Sequence, residues 1–246
     1  MVYPEIDLAI QFFFMYLYLE VREEAPFEVQ RQEKEADMNT SNITVNTQSS
    51  IRITGSRNLY FDPFQISNEA HDADLIFITH SHRDHLDPES ISRVSNRNTI
   101  FVAPVSMDQE LRKVVGDAEL ILMPVGGSME IAGISVQSVP AYNRLKPFHP
   151  KRNGWIGYVV TMDGVRYYAA GDTDAVSDLK SVTCDVALVP IGGTYTMSAK
   201  EAAKLVNEIH PLVAIPIHYG SIVGKPADAD IFRKHVNPEI QVETRL

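Results

Sequence analysis

Residues 75–85 read Leu-Ile-Phe-Ile-Thr-His-Ser-His-Arg-Asp-His, an apolar run followed at once by three histidines and an aspartate. The run before the first histidine predicts a strand that is buried on both faces. Side chains two residues apart at a strand end share a face, so His80 and His82 can bind one metal ion. The turn that follows can bring Asp84 and His85 to a second position nearby. Because imidazole and carboxylate groups bind zinc and related divalent metals, the stretch predicts a metal site.

The chain around this stretch alternates short apolar strands with helices. The alternating stretch 43–55 predicts a strand that ends at a glycine. Asp87-Pro88 predicts the start of a helix, and Ser198 followed by Glu201 predicts a capping box that opens another. Asp163-Gly164 predicts a tight hairpin. Two sheets packed face to face with helices outside accommodate this order, although periodicity alone does not separate that arrangement from a three-layer α/β sandwich.

Composition excludes several classes of protein. The 246 residues are 44% hydrophobic and 22% charged, which is typical of a globular chain rather than a disordered one. No run approaches the roughly 20 apolar residues of a membrane helix. The net charge of −10 argues against a nucleic-acid-binding surface. The single cysteine, Cys184, cannot form an intrachain disulfide and is expected to be a small buried residue, which favours a cytoplasmic location.

The first 37 residues differ in composition from the rest. They carry nine acidic and three basic side chains, and six aromatic residues fall within the first 18 positions. The segment lacks the basic start and the cleavage site of a signal peptide. One interpretation is an extra helix packed on the domain. The other is an over-extended gene start, with a native chain that begins at Met38. The predicted division is therefore an N-terminal extension, 1–37, and a main domain, 38–246, that contains the predicted metal site.

Three motifs resemble the metallo-β-lactamase superfamily. His80 to His85, as HSHRDH, is similar to its HxHxDH signature. Segment 171–174, GDTD, resembles the one that supplies a metal-bridging carboxylate, and segment 217–220, IHYG, resembles the one that holds the last histidine ligand. The similarity spans about residues 40–246 and is greatest to the branch of ascorbate-6-phosphate lactonase-like and other small stand-alone hydrolases. It implies an α/β fold, an αββα sandwich of two mixed sheets with helices on the outer faces and metals between the sheet edges.

The resemblance also implies a set of metal ligands. In many relatives a histidine follows a Val-Pro-Ala-like strand and completes the first metal site, but Asn143 occupies that position here. His149 lies six residues further on. It either belongs to a solvated loop or reaches the metal in place of Asn143. His82, Asp84 and Asp172 are also the catalytic candidates. The full set of candidate ligands is His80, His82, Asp84, His85, His149, Asp172 and His218.

The loop around His149 is basic in an otherwise acidic protein, with Arg144, Lys146, Lys151 and Arg152 close by. These cations either form a solvated loop or border the metal site and attract an anionic substrate. Trp155 is a candidate apolar wall. The histidines at 71, 210 and 235 are expected to be structural or exposed. The candidate substrate-binding residues are Asn143, Arg144, Lys146, Tyr195 and Tyr219, and either tyrosine can instead serve in packing.

The function implied by the resemblance is that of a metal-dependent hydrolase. Two divalent cations, zinc first with manganese or iron as alternatives, would activate a hydroxide that attacks an ester, lactone or phosphoester. The expected partner is a small, anionic substrate, with no nucleic acid and no membrane span, and the oligomeric state is left open. One alternative, prompted by Asn143, is a metal-binding member of the same fold without turnover. A metal-dependent nuclease is the second, and the acidic net charge weighs against it.

Overall fold

Two mixed β-sheets pack against each other and form the centre of the fold. The structure is a computed structural model, and it describes residues 38–246. The predicted extension 1–37 lies outside the described residues, so its two interpretations stay predictions. Residues Ser41–Leu246 form a single compact unit, and the account that follows concerns that unit.

The first sheet holds six strands in the order in which they occur in the chain. Strands β1 to β3 pair antiparallel, and β3 to β6 pair parallel. Its strands are β1 (Ile43–Val45), β2 (Ile51–Thr54), β3 (Asn58–Phe61), β4 (Leu75–Phe77), β5 (Ile100–Pro104) and β6 (Leu120–Met123).

The second sheet holds seven strands in the reverse of chain order, and here too an antiparallel part continues into a parallel one. Its strands are β7 (Ser128–Ile131), β8 (Ile134–Pro140), β9 (Ile156–Met162), β10 (Val165–Ala169), β11 (Val186–Pro190), β12 (Val213–Ile217) and β13 (Gln241–Val242). The predicted hairpin joins β9 to β10, and both Asp163 and Gly164 have the positive φ of such a turn, 51° and 78°.

Four helices connect the parallel strands: α1 (Pro88–Val94), α2 (Asp108–Val115), α3 (Ala199–Ile209) and α4 (Asp228–His235). Pro88 stands in the first turn of α1, where the missing N–H has no partner to lose. The predicted capping box opens α3, with Ser198 and Glu201 bonded to each other's backbone N–H groups.

Successive side chains along β4 point to opposite faces of the first sheet, and their contacts show which face packs on helices and which on the second sheet. Ile76 belongs to an apolar cluster with Ile91 of α1, on the outer face of the first sheet. Phe77 points the other way and stacks on Phe61, with ring centroids 4.7 Å apart. Tyr158 of the second sheet meets Phe77 at 5.1 Å, so these aromatic rings lie between the sheets. The predicted αββα sandwich is confirmed, and the three-layer alternative is excluded.

The stretch 43–55 differs from the prediction. It forms two antiparallel strands, β1 and β2, rather than one, because a tight turn interrupts the alternation. The Asn46 N–H donates to the Ser50 carbonyl at 2.9 Å, and the Ser50 N–H donates to the Thr47 carbonyl at 2.8 Å. Gln48 and Ser49 at the tip are buried, at 0% and 2% exposure. The turn is therefore part of the interior of the protein.

Cys184 is buried, as expected, and burial raises the pKa of its thiol to about 12. Among residues 38–246, the helices are all too short and too polar to cross a lipid bilayer.

Candidate metal centre

The carboxyl ends of strands from both sheets bring the predicted ligands together. The HSHRDH segment, 80–85, follows β4, Asp172 follows β10, and His218 comes directly after β12. His149 lies in the loop between β8 and β9. Loops at the carboxyl ends of parallel strands are where α/β folds place their ligand sites.

Three histidines form the first group, called here the histidine site: His80, His82 and His149. His80 Nε2 lies 3.1 Å from His82 Nδ1. His149 Nε2 lies 3.3 Å from His80 Nε2 and 3.1 Å from His82 Nδ1. Each histidine therefore directs one ring nitrogen to a common point.

The second group, called the carboxylate site, consists of Asp84, His85 and His218. His218 Nε2 lies 3.2 Å from Asp84 Oδ2, and His85 Nε2 lies 3.6 Å from the same oxygen. The rings of His85 and His218 are nearly parallel, at 20°.

Asp172 lies between the two sites and directs one oxygen to each. Its Oδ2 is 3.3 Å from His149 Nε2 in the histidine site. Its Oδ1 is 3.4 Å from both His85 Nε2 and His218 Nε2 in the carboxylate site. Gly171, with φ of 65°, makes the turn that carries this carboxylate off the end of β10. A Cβ at Gly171 would also lie 3.1 Å from the Thr79 side chain.

The chemistry of these side chains fits divalent cations. His85 Nε2 and Asp172 Oδ1 are buried and have no hydrogen-bond partner among the described residues. A buried polar atom without a hydrogen-bond partner destabilises the folded protein by about 1–3 kcal/mol, so such atoms call for an explanation. Nitrogens 3.1–3.3 Å apart suit ligands that each stand about 2.0–2.1 Å from one zinc ion. The donor set is imidazole and carboxylate, which divalent transition metals favour.

Comparison with known proteins places the chain in a family. The family described as Beta-lactamase superfamily domain matches residues 42–218. The chain belongs to the metallo-β-lactamase superfamily. A UPF0173 metal-dependent hydrolase of Pyrococcus horikoshii is 34% identical over 204 residues, which cover 77% of this chain and 89% of the relative.

Solved structures agree with this assignment. A candidate metal-dependent hydrolase from Parabacteroides distasonis has a TM-score of 0.70 and 28% identity, over 82% of this chain and 91% of its own. Igni18, a metallo hydrolase from Ignicoccus hospitalis, has a TM-score of 0.68 and 23% identity, over 82% and 93%, and shows the shared fold. At this level the predicted class, a metal-dependent hydrolase of the metallo-β-lactamase superfamily, is confirmed.

Asp62 supports the carboxylate site from behind. The His85 Nδ1–H donates to Asp62 Oδ2 at 2.7 Å. The same carboxylate accepts the Thr79 N–H at 2.8 Å and the Thr79 hydroxyl at 2.6 Å. Thr79 Oγ1 in turn lies 3.0 Å from His80 Nδ1. Asp62 directly follows β3, beside β4, so it orients His85 directly and His80 through Thr79. Its sequence context, Asp62-Pro63 at a strand end, predicts only a turn, and no spacing rule connects it to the motif.

The charges of the metal-free site are unequal. Burial, and then repulsion from His85, hold the pKa of His80 well below its usual value. Burial also tends to lower the pKa of His85. The carboxylates of Asp172 and Asp62 outweigh this effect and raise the pKa of His85 well above the ordinary histidine value. Burial would raise the pKa of Asp172, yet the charges on His218 and His85 keep it well below its usual range. These directions favour a proton on His85 and disfavour one on His80.

The loop before β9 brings His149 inward. The Asn143 N–H donates to the His149 carbonyl at 2.8 Å, which closes the loop, and His149 has a left-handed φ of 55°. The Asn143 side chain lies against the His149 ring, with Nδ2 3.2 Å from Nδ1, and donates to the Tyr195 carbonyl at 2.7 Å. Of the two predicted arrangements, the structure has His149 at the site and Asn143 behind it.

Trp155 forms the wall predicted for it. Its ring lies against all three rings of the histidine site, 4.8 Å from His80, 5.0 Å from His82 and 5.5 Å from His149. These contacts limit rotation of the ligand rings.

The candidate substrate-binding residues differ in burial and in their contacts. Asn143 is buried behind His149, and Tyr219 is 3% exposed in the apolar core of the second sheet. These positions do not support a substrate contact for either residue. Lys146 pairs with Asp174 at 2.5 Å. Tyr195 is half-buried, and its ring meets Phe148 edge-on at 4.6 Å.

The remaining histidines lie outside the two sites. His71 Nδ1 contacts the Ser95 carbonyl, and His235 Nδ1 contacts the Ile231 carbonyl. His210 caps the end of α3 with φ of 52°.

Proposed function

We propose that this member of the metallo-β-lactamase superfamily hydrolyses a small, anionic ester, lactone or phosphoester with two divalent cations, zinc first. One cation binds at the histidine site and the other at the carboxylate site. A single observation carries the proposal: the two oxygens of Asp172 face the nitrogens of different sites, at 3.3 and 3.4 Å. One carboxylate placed in this way suits a ligand shared by two cations.

The chain's own residues define the approach of the substrate. When bound, the cations supply Lewis acidity and lower the pKa of water. Of the seven candidate ligands, only His82 and Asp84 are partly exposed, and the rest are buried. Substrate and water therefore approach from the side of these two residues. Burial tends to raise the pKa of Asp84, but the hydrogen bond from His218 and the charge on His85 lower it overall. Asp84 is accordingly ionised and able to accept a proton from water.

An anionic substrate is favoured by the loop that carries His149. Lys146 and Lys151 are paired with Asp174 and Asp178, at 2.5 and 3.0 Å, so their charges are largely compensated. Arg144 and Arg152 form no ion pair within the part of the chain that the structure describes. We therefore assign attraction of the anion to these two arginines rather than to the lysines. The net charge of −10 weighs against a nuclease.

The test uses full-length protein that has been freed of metal and then reloaded with zinc, manganese or iron. Hydrolysis of lactones, carboxylic esters, phosphomonoesters and phosphodiesters is followed for each form. The proposal predicts turnover of at least one small anionic class, restored by metal and abolished in Asp172→Asn. Tight metal binding with no turnover across the panel would favour the non-catalytic alternative. Cleavage of RNA or DNA alone would favour the nuclease.

A further inference from the structure

The four histidines that direct Nε2 to the centre differ in what holds the other ring nitrogen. His85 Nδ1 bonds to Asp62, His80 Nδ1 lies 3.0 Å from Thr79 Oγ1, and His149 Nδ1 lies 3.2 Å from Asn143 Nδ2. Nδ1 of His218 is buried and has no partner in the part of the chain that the structure describes. A metal-binding histidine almost always uses its second nitrogen in a hydrogen bond, which selects its tautomer and orients its ring.

Gln48 also has buried polar atoms without a hydrogen-bond partner among the described residues. It is fully buried, at 0% exposure, and both polar atoms of its side chain, Oε1 and Nε2, lack a partner among residues 38–246. A buried amide in this state is unfavourable, because its polar groups have given up hydrogen bonds to water and gained none in the protein. A hydrophobic residue would fill the same volume without that penalty, so packing does not account for a glutamine here.

The backbone brings these two residues together. The His218 N–H donates to the Gln48 carbonyl at 2.9 Å. Residues joined in this way stand roughly 5 Å apart at their Cα atoms, within reach of a glutamine side chain. Both also have left-handed backbones, with φ of 48° at Gln48 and 56° at His218. Non-glycine residues in this conformation are strained, and they cluster at functional sites.

We propose that Gln48 is the positioning residue for His218: its side-chain Oε1 accepts the Nδ1–H of His218 when the carboxylate site holds a cation. This bond leaves the lone pair of His218 on Nε2, the atom that faces Asp84 and Asp172. The inference rests on the metal centre proposed above. It assigns a role at that centre to the buried turn between β1 and β2, which contains no residue of the metal motifs.

The test measures zinc affinity by competition with a chelator in full-length protein. Gln48→Leu should weaken one of two zinc equivalents by about 10–100-fold, as loss of such a partner does elsewhere. Gln48→Glu, which keeps an acceptor, should stay within about threefold of the natural protein. Ser49→Ala is the matched control, because the Ser49 hydroxyl is the neighbouring buried group without a partner. It should bind both equivalents normally.

A second readout does not depend on the leucine variant folding. In the zinc-loaded natural protein, ¹⁵N-resolved imidazole spectra should show His218 protonated at Nδ1, with that proton protected from exchange. Gln48→Glu should retain the proton. An Nδ1 that is unprotonated or exchanges freely would overturn the proposal. The proposal would also be overturned if Gln48→Leu bound both zinc equivalents with normal affinity and changed only the KM. If the natural protein itself bound no zinc, the metal centre, and not just the role of Gln48, would be refuted.

Discussion

The two halves of the metal centre are built in different ways. The carboxylate site is joined to the core: His85 is fully buried on Asp62, and His218 comes directly off β12. The histidine site takes His80 and His82 from the same segment, but its third ligand, His149, comes from the loop between β8 and β9, six residues after Asn143. Strands position the ligands of the carboxylate site, whereas a loop closed by Asn143 positions His149 of the histidine site. We therefore expect the two halves to lose metal under different perturbations.

The largest effect is expected for Asp172→Asn, because this carboxylate serves both halves. The change keeps the shape but removes the negative charge and one of the two oxygens that face four histidine nitrogens, at 3.3–4.0 Å. Zinc affinity should fall at both sites, by more than the ~100-fold seen when an outer partner is lost. Chelator competition measures this. Loss at one site with a normal second site would show that Asp172 is not shared.

His149→Ala should separate the halves. It removes one nitrogen from the histidine site and leaves Asp84, His85 and His218 in place, so zinc content should fall from two equivalents to one. His218→Ala is the matched variant for the other half and should retain the other equivalent. Cobalt substitution distinguishes the two by their visible spectra. Identical residual spectra in the two variants would contradict the division into two sites.

Asp62→Asn should act on the carboxylate site more than on the histidine site. The amide is a weaker acceptor for the His85 Nδ1–H, so we expect a loss of about 10–100-fold in affinity for one zinc equivalent. Asp72→Asn is a control on the same sheet, since Asp72 bonds to Tyr60 and Arg52 rather than to the centre. Equal weakening of both equivalents would mean that Asp62 supports the fold and not one site.

The smallest effect is expected for a change of one pH unit. Zinc requires neutral imidazole, and the carboxylates of Asp172 and Asp62 raise the pKa of His85 well above the ordinary histidine value. Below that raised pKa, zinc must displace a proton, so affinity at the carboxylate site should fall by about tenfold per pH unit. Burial lowers the pKa values of His80 and His82, so protons should compete less with zinc at these two ligands than at His85. Titration of each equivalent between pH 8 and 6 measures the difference, and parallel curves would refute it.

The same contrast shows which parts of the site can be predicted from the sequence. Asp84 and His85 of the carboxylate site follow from a local signal, because HSHRDH comes soon after a buried apolar strand. His218 is predicted only from the resemblance of IHYG to a family motif. The position of His149 was left between two alternatives, since it depends on a loop closed by a backbone bond across six residues. The residues behind the ligands, Asp62 and Gln48, were not found. Each stands in a turn whose sequence predicts only the turn, and its contacts are with distant parts of the chain.

The measurement that tests the account most directly is anomalous diffraction at the zinc edge from crystals of the full-length protein soaked in zinc chloride. We predict two peaks. One should contact the ring nitrogens of the histidine site, the other should contact the carboxylate site, and both should contact Asp172. A single peak or none at these side chains, or peaks bound elsewhere, would contradict a two-cation centre shared through Asp172.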